Sequence, residues 1–174
     1  MLSAAERGTA THAFLQYLDF SKTDTAEQLR GEAERVAAAG HLRPEERDAV
    51  NLVSVLKLFA SPLGRRMRAA GTKLRREFRF TLLSPAADYY EGADETDRLL
   101  LQGVVDCFFV EDGGITLVDY KTDRVSAAEA PARAERYRGQ METYAKALER
   151  ILKLPVRQSV LWFLTPGVEI ELKM

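Results

Sequence analysis

Asp106, Asp119 and Lys121 are the residues whose types and spacing best suit catalysis. Two adjacent carboxylates can hold a divalent cation. A lysine beside them can orient an attacking water or stabilise the charge that grows on a phosphate during hydrolysis. The three residues together suit the cleavage of phosphodiester bonds, provided that the fold brings their side chains to one place.

A predicted β-hairpin brings the two aspartates together. Residues 99–110 and 115–120 are rich in β-branched and aromatic side chains, and Asp112-Gly113 lies between these segments. An Asp-Gly pair tolerates the positive φ angles of a type I′ turn, so the pattern predicts a tight antiparallel hairpin. With this turn the numbers of paired residues sum to 225, which sets Asp106 opposite Asp119. Opposed residues have Cβ atoms roughly 4.5–5.5 Å apart.

Alternation along the two strands predicts that both carboxylates lie on an apolar face. Their expected neighbours on that face are Val104, Phe108, Ile115 and Leu117. Lys121, two residues beyond Asp119, projects from the same face. Opposed like charges are destabilising, and burying them costs several kcal/mol unless something compensates. A divalent cation is the simplest compensation, and oxygen ligands without thiolates favour Mg²⁺ or Mn²⁺ over a structural zinc.

A simpler interpretation has to be weighed against this site. Short Asp-x-Lys patterns are common by chance, and the two aspartates could be strand-end residues with Lys121 as a surface partner. The opposed second aspartate and the apolar face favour the catalytic interpretation.

The elements that must position these residues follow from hydrophobic spacing and from capping residues. The first half is predicted to be helical, with helices at 8–20, from a cap at Thr25 to Gly40, from Pro44 to Pro62, and in a short basic stretch up to Gly71. The second half is predicted as strands at 73–83, 99–110, 115–120 and 156–164, a helix at 133–152, and a short last strand after Thr165-Pro166-Gly167. The expected fold class is α/β or α+β. We expect a central mixed sheet with the 133–152 helix on one face and the N-terminal helices on another side.

Composition narrows the class of protein. A chain of 174 residues with 46% hydrophobic residues suits one globular domain. The single cysteine, Cys107, cannot form an internal disulfide or a cysteine-ligated metal cluster, and is predicted to be a buried strand residue. No apolar run is as long as a membrane span, and the N-terminus lacks the features of a signal peptide, so a cytoplasmic setting without a membrane is expected.

The net charge of −1 argues against a uniformly basic nucleic-acid surface, but the charges are unevenly distributed. Residues 62–79 contain seven bases: Arg65, Arg66, Arg68, Lys73, Arg75, Arg76 and Arg79. Residues 84–97 contain five acids: Asp88, Glu91, Asp94, Glu95 and Asp97. These stretches could be opposite faces of the protein, or a solvated strand followed by a solvated loop, and charge alone slightly favours the second.

Five motifs in order resemble a known family. The motifs are Gly8-Thr9-Ala10-Thr11-His12, Arg76-Glu77-Phe78-Arg79-Phe80, Gly103-Val104-Val105-Asp106, Val118-Asp119-Tyr120-Lys121-Thr122-Asp123, and the pair Gln140 and Tyr144. Together they resemble the RecB-family nucleases of the PD-(D/E)XK superfamily, and most closely the C-terminal nuclease domains of AddA-type helicase–nuclease subunits. Each motif alone is weak, whereas the ordered set spans nearly the whole chain and is specific.

The resemblance implies a restriction-endonuclease-like core and a set of site residues. His12, Asp106 and Asp119 would be ligands of Mg²⁺, with Mn²⁺ able to substitute, and the carbonyl of Tyr120 would lie near the metal. Lys121 would be the catalytic lysine. Gln140 and Tyr144 would brace the site and touch the DNA strand. The acid before the lysine is aspartate rather than the glutamate common in the superfamily, and RecB-like members use aspartate there.

Other interpretations of several residues stay open. His12 alone is more often a helix-surface or satisfied core histidine, and only the motif context raises it to a candidate ligand, while Tyr144 could be plain core. Gln140 lies beside the apolar stripe of its helix, where a buried amide needs partners. Glu77 is more simply a strand residue than a ligand, although it could contact the ligands. The basic stretch at 65–79 becomes a candidate phosphate track once a nuclease is considered.

The resemblance also implies the setting. The expected function is Mg²⁺-dependent hydrolysis of DNA by an exonuclease that acts on single strands produced by a helicase, in double-strand-break repair and recombination. The implied partner is DNA, mainly single-stranded. If the chain is a domain of a larger AddA-type protein rather than a free-standing relative, the partners also include a helicase domain of the same polypeptide or complex and a second nuclease subunit. The chain contains no phosphate-binding loop of its own.

Residues 1–174 are predicted to form a single nuclease domain, with a helical part at 1–71 and a nuclease core at 72–174. Two alternatives remain at this point: a DNA-binding scaffold of the same fold that has lost activity, and a domain that only docks a partner subunit.

Overall fold

The computed structural model describes residues 2–94 and 96–173. Glu95, one of the five acids counted above, lies outside the described residues. The centre is a five-stranded sheet in the order β1-β2-β3-β4-β5. The strands are β1 (Leu74–Pro85), β2 (Arg98–Glu111), β3 (Gly114–Lys121), β4 (Val156–Phe163) and β5 (Val168–Glu171). β3 and β4 are parallel and the other neighbours are antiparallel, so the expectation of a mixed sheet flanked by helices is confirmed.

Seven α-helices surround the sheet in the described part of the chain. They are α1 (Ala4–Tyr17), α2 (Ala26–Ala38), α3 (Pro44–Ala49), α4 (Leu52–Ala60), α5 (Pro62–Ala70), α6 (Ala130–Glu135) and α7 (Arg138–Leu152). Within residues 2–94 and 96–173, no helix has the length and apolar character needed to cross a membrane.

Capping side chains set the ends of the first helices. α1 begins earlier than predicted, because Ser3 accepts a hydrogen bond from the Glu6 N–H while the Glu6 carboxylate accepts one from the Ser3 N–H. Thr25 caps α2 as expected by accepting the N–H of Gln28. Gly40, with φ of 81°, follows the end of α2.

Two predicted helices are each divided in two. The helix expected from Pro44 to Pro62 breaks after α3, because the Asn51 side chain accepts the Ser54 N–H and starts α4. The helix expected at 133–152 breaks between α6 and α7. There the N–H groups of Arg136 and Tyr137 bond to carbonyls only three residues back. Apolar spacing continues across both breaks, which is why it does not reveal them.

The two faces of the sheet are covered as predicted. One cluster of buried side chains joins α1, α2, α4 and α5 to the face that carries Cys107, Phe109 and Val118. The other joins α6 and α7 to the face that carries Phe108, Ile115 and Leu117. Cys107 is fully buried, as expected.

The predicted alternation of β2 is wrong on one side of Asp106. Val105 and Phe108 pack in the same core cluster although they are three residues apart, while Cys107 faces the opposite cluster. The alternation reverses because the backbone is irregular at Glu77, where φ is 50°, and the β1–β2 ladder skips the pair formed by Glu77 and Asp106. Val105, rather than Val104, therefore faces the α7 side.

This irregularity lies where β2 and β3 separate. Beyond Asp106, β2 pairs only with β1, whereas β3 continues alongside β4, with Asp119 opposite Leu161. The separation opens a cleft at the end of β3, and Asp106 and Asp119 lie on its two sides.

Candidate active site

The hairpin register is the one predicted from the turn. The five pairs of the β2–β3 ladder run from Cys107–Val118 to Glu111–Gly114, and each sums to 225. Asp112 and Gly113 have φ of 49° and 73°, as the tight turn requires. Asp106 and Asp119 occupy the next position, just past the last ladder pair. There the Asp106 Oδ2 accepts the Tyr120 N–H at 2.9 Å, so a side chain replaces the backbone acceptor.

His12 reaches the same point from α1. Its Nε2 lies 2.9 Å from the Tyr120 carbonyl oxygen and 3.2 Å from Asp106 Oδ2, and its Nδ1 lies 3.0 Å from the Gly8 carbonyl oxygen. Carbonyl oxygens only accept, so both ring nitrogens donate in this arrangement and the ring is an imidazolium. Burial disfavours the charged ring, but hydrogen bonding to Asp106 and the Asp106 charge outweigh burial and raise the pKa of His12 to about 9.

Gly8 brings α1 close enough for this contact. A Cβ at Gly8 would lie 2.8 Å from Thr122 Oγ1, so a larger residue here would require the Thr122 side chain or the helix to shift. The upstream motif thus combines a glycine that permits close approach with a histidine that uses it.

Asp119 and Lys121 form the buried side of the cleft. Asp119 is 3% exposed, and Lys121 Nζ lies 2.7 Å from Asp119 Oδ2, although without hydrogen-bond alignment. Burial and the charge of Asp106 raise the pKa of Asp119 to about 6, against the opposing effect of Lys121. The ionised carboxylate is therefore held at an energetic cost.

Gln140 and Tyr144 connect this pair to α7. Lys121 Nζ donates to Gln140 Oε1 at 3.0 Å, and Gln140 Nε2 donates to the Tyr144 hydroxyl at 3.0 Å. Gln140 is exposed, so its partners lie at the edge of the cleft and not in the core.

Tyr137 and Asp123 belong to the same cleft, and the sequence reasoning assigned them no role. The Tyr137 ring lies 3.8 Å from Lys121 Nζ, within cation–π range, and its hydroxyl donates to both oxygens of Asp123 at 3.0 and 2.9 Å. Arg133 lies 3.5 Å from Asp123. In the sequence, Tyr137 continues the apolar spacing of Met141, Tyr144 and Leu148 along the predicted helix at 133–152, which favours a core role. The available signal was its position three residues before Gln140, on the same helix face.

All the predicted site residues line one cleft of about 240 Å³. They are His12, Asp106, Asp119, Tyr120, Lys121, Gln140 and Tyr144, joined by Thr122, Asp123 and Tyr137. Glu77 is not among the lining residues, but it is near enough for the Asp106 charge to add to burial in raising its pKa.

Much of the basic stretch serves the fold. The Arg66 guanidinium pairs with Glu111, Arg68 with Asp24, and Arg76 donates to the carbonyls of Leu15 and Leu18. Three of the seven bases are therefore engaged within the protein and are poor candidates for a phosphate track.

The donor set fits a hard divalent cation. Two carboxylates, one imidazole and the Tyr120 carbonyl converge, and the buried Asp119 Oδ2 has the Lys121 ammonium 2.7 Å away. No three His, Cys, Asp or Glu side chains of the described chain are already spaced to hold an ion, and His12 and Asp106 contact each other. A bound metal would replace that contact and the proton on His12 Nε2.

The fold, the residues of the cleft and the sequence comparison all indicate the same class of protein. The family model of the PD-(D/E)XK nuclease superfamily matches residues 1–172, and the chain belongs to that superfamily.

The chain is homologous to AddA helicase/nuclease subunits over almost its whole length. It is 37% identical over 174 residues to an ATP-dependent helicase/nuclease subunit of Moorella thermoacetica and 40% over 177 residues to that of Heliobacterium modesticaldum, in both cases across 98% of this chain. The corresponding protein from Bacillus mycoides is 37% identical over 171 residues, across 93% of this chain. These matches span only 12%, 13% and 14% of the relatives' own lengths. A likeness to the solved structure of SSO0001, at 13% identity and a TM-score of 0.42 over 97% of this chain and 74% of that one, is distant.

Proposed function

We propose that this chain is a RecB-like nuclease unit that hydrolyses phosphodiester bonds of DNA with Mg²⁺, for which Mn²⁺ can substitute. The observation that carries the proposal is the buried Asp119 carboxylate. It faces Asp106 and is almost completely buried, and its pKa is raised even though the Lys121 ammonium lies 2.7 Å from its Oδ2. A fold selected for stability alone would neutralise or expose such a group.

In this proposal His12, Asp106, Asp119 and the Tyr120 carbonyl hold the metal. When bound, the ion would acidify a water and polarise the scissile phosphate. Asp119 also holds the Lys121 ammonium in the cleft, where Lys121 orients the attacking water and stabilises the charge on the phosphate. Gln140 limits the movement of Lys121 and, with Tyr144, lies at the cleft edge where a DNA strand would pass.

The proposed substrate is single-stranded DNA, and the proposed activity is that of an exonuclease. The support is the name of the relatives, which joins a helicase to a nuclease in one subunit. Residues 1–174 would act as one nuclease unit beside a helicase domain and a second nuclease subunit, in cytoplasmic repair and recombination of double-strand breaks. The helical part at 1–71 and the core at 72–174 would form one unit, because α1 supplies His12 to a cleft that is otherwise built from the sheet and from the region of α7.

The test is a cleavage assay with end-labelled single- and double-stranded DNA in Mg²⁺ and in EDTA, on the parent and on Asp119→Asn. We expect cleavage that needs Mg²⁺, that is faster on single strands, and that the variant loses by a factor of about 10²–10³ or more. Metal-independent cleavage would contradict the proposed mechanism. Salt-sensitive DNA binding without any cleavage would instead support the inactive scaffold.

A further inference from the structure

A second cavity lies beside the active-site cleft, on its α1 side. This α1 cavity has a volume of about 560 Å³, more than twice that of the cleft, and falls in the range of roughly 300–1,000 Å³ typical of small-molecule sites. Its lining includes Arg7 and Gly8 on α1 and Thr122, Arg124 and Val125 after β3.

The α1 cavity adjoins the cleft directly. Thr122 lines both, and Gly8 is close enough to Thr122 to form the wall between them. His12, one turn beyond Gly8 on α1, faces into the cleft. A strand that lies across the cleft would therefore reach the cavity at Thr122.

The charge of the α1 cavity is opposite to that of the cleft. None of its lining residues is an acid, and two are arginines. Arg7 donates to the Leu2 carbonyl, and Arg124 is exposed. No acid within residues 2–94 and 96–173 forms an ion pair with either arginine. Hydroxyl groups from Thr11, Thr122 and Thr165 and apolar surface from Val125 and Leu164 complete a lining suited to a phosphate with an attached sugar and base.

We propose that the α1 cavity binds a nucleotide of the DNA strand adjacent to the phosphate being cleaved, with Arg7 and Arg124 contacting the backbone. This inference rests on the proposed function and adds a strand-binding subsite to it. In the cleft the charges of His12 and Lys121 are already matched by Asp106 and Asp119, so the neighbouring arginines would supply the affinity that keeps a strand in register.

The first measurement is the fluorescence anisotropy of a labelled oligothymidylate with the full chain in EDTA, where no Mg²⁺-dependent cleavage occurs. Arg124→Glu should raise the Kd about tenfold and flatten its salt dependence. The matched control is Arg30→Glu, the same charge change at an exposed arginine of α2 that lines neither the cavity nor the cleft; its Kd should equal that of the parent.

A second pair of variants tests the cavity without changing charge. Ala4 lines the cavity and Ala5 does not, and both are exposed in the first turn of α1. Ala4→Trp should fill the cavity and weaken binding several-fold, whereas Ala5→Trp should not. Thermal midpoints of all four variants check that each one folds.

The proposal requires that, in both pairs of variants, the cavity variant binds DNA more weakly than its control. If Arg124→Glu weakens binding no more than Arg30→Glu, or Ala4→Trp no more than Ala5→Trp, the α1 cavity is not a strand-binding subsite. If the protein cleaves DNA with Mg²⁺ but each cavity variant binds as well as its control, this inference is overturned and the nuclease proposal stands. If both cavity variants bind more weakly than their controls but no cleavage occurs, the result would support the subsite and contradict the nuclease proposal.

Discussion

Two polar groups lie at opposite ends of β3 and are built on opposite principles. At the turn end, Glu111 pairs with Arg66, accepts the Thr116 hydroxyl at 2.9 Å, and shares Arg66 with Gln158. The hydrogen bond from Arg66 is the main cause that holds the pKa of Glu111 below its usual value. At the other end, burial and Asp106 hold the pKa of Asp119 above its usual value.

The polar group at the turn end stabilises the fold, whereas the buried Asp119 carboxylate in the cleft is held at an energetic cost. Both groups sit on the same hairpin, so local sequence does not explain the difference. In the turn-end group the charges are satisfied by the protein itself. In the cleft, two carboxylates face each other, and the pKa of Asp119 stays raised although Lys121 Nζ lies 2.7 Å from its Oδ2, which is the arrangement expected where a ligand completes the site.

The largest effect should come from Lys121. Lys121→Ala removes the ammonium beside Asp119 without removing a metal-binding atom, so cleavage should fall by about 10²–10³-fold while metal binding is retained. The measurements are the rate of single-strand cleavage in Mg²⁺ and the rise in thermal midpoint with Mn²⁺. Unchanged cleavage per folded molecule would make Lys121 structural, like Arg66 at the turn end.

Metal binding should stabilise only through the cleft. At a Mn²⁺ concentration a hundredfold above its Kd, the free energy of unfolding should rise by about 2.7 kcal/mol. Asp106→Asn should lose this gain, whereas Glu111→Gln should keep it, because Glu111 is already paired with Arg66. Urea denaturation with and without Mn²⁺ measures both. Equal gains in the two variants would locate the ion elsewhere.

The two carboxylates should give opposite pH dependences of stability in EDTA. The pKa of Asp119 is raised from 3.8 to about 6, so its stabilising contribution is complete below pH 3.8 and is lost as pH rises through about 6. Asp119→Asn should therefore be more stable than the parent at neutral pH, and this advantage should shrink in acid.

Glu111 has a lowered pKa, so its contribution is present above its usual pKa and is lost in acid. Glu111→Gln should accordingly cost about 1 kcal/mol at neutral pH, since the pair is partly exposed. Urea denaturation from pH 4 to 8 compares the two variants. Destabilisation of both at neutral pH would mean that Asp119 also supports the fold.

The smallest effect should come from Tyr137, which acts through Lys121. Tyr137→Leu removes the ring beside the ammonium and should lower kcat about fivefold with little change in KM, whereas Tyr137→Phe keeps the ring and should lose less. In a Lys121→Ala background, Tyr137→Leu should cause no further loss. An additive loss in the double variant would show that Tyr137 acts independently of Lys121.

Sequence alone was sufficient for the parts of this protein that depend on short-range patterns. Asp112-Gly113 determined the hairpin register and hence that Asp106 and Asp119 meet, because turn type and strand pairing are local. Apolar periodicity identified the helical first half and the mixed sheet, and Thr25 and Gly40 marked the ends of α2. The helix breaks at Asn51 and Tyr137 were not predicted, because the apolar spacing continues through both positions.

Only the tertiary structure decided how the cleft works. The reversed alternation at Asp106 depends on Glu77, a residue on another strand, and no pattern within β2 encodes it. The approach of His12 depends on Gly8 packing against Thr122 across more than a hundred residues of chain. The raised pKa of Asp119 is a consequence of its burial and of the charge of Asp106, which are properties of the packed molecule. Residue types and order specify which groups are available, and long-range packing determines their distances and protonation.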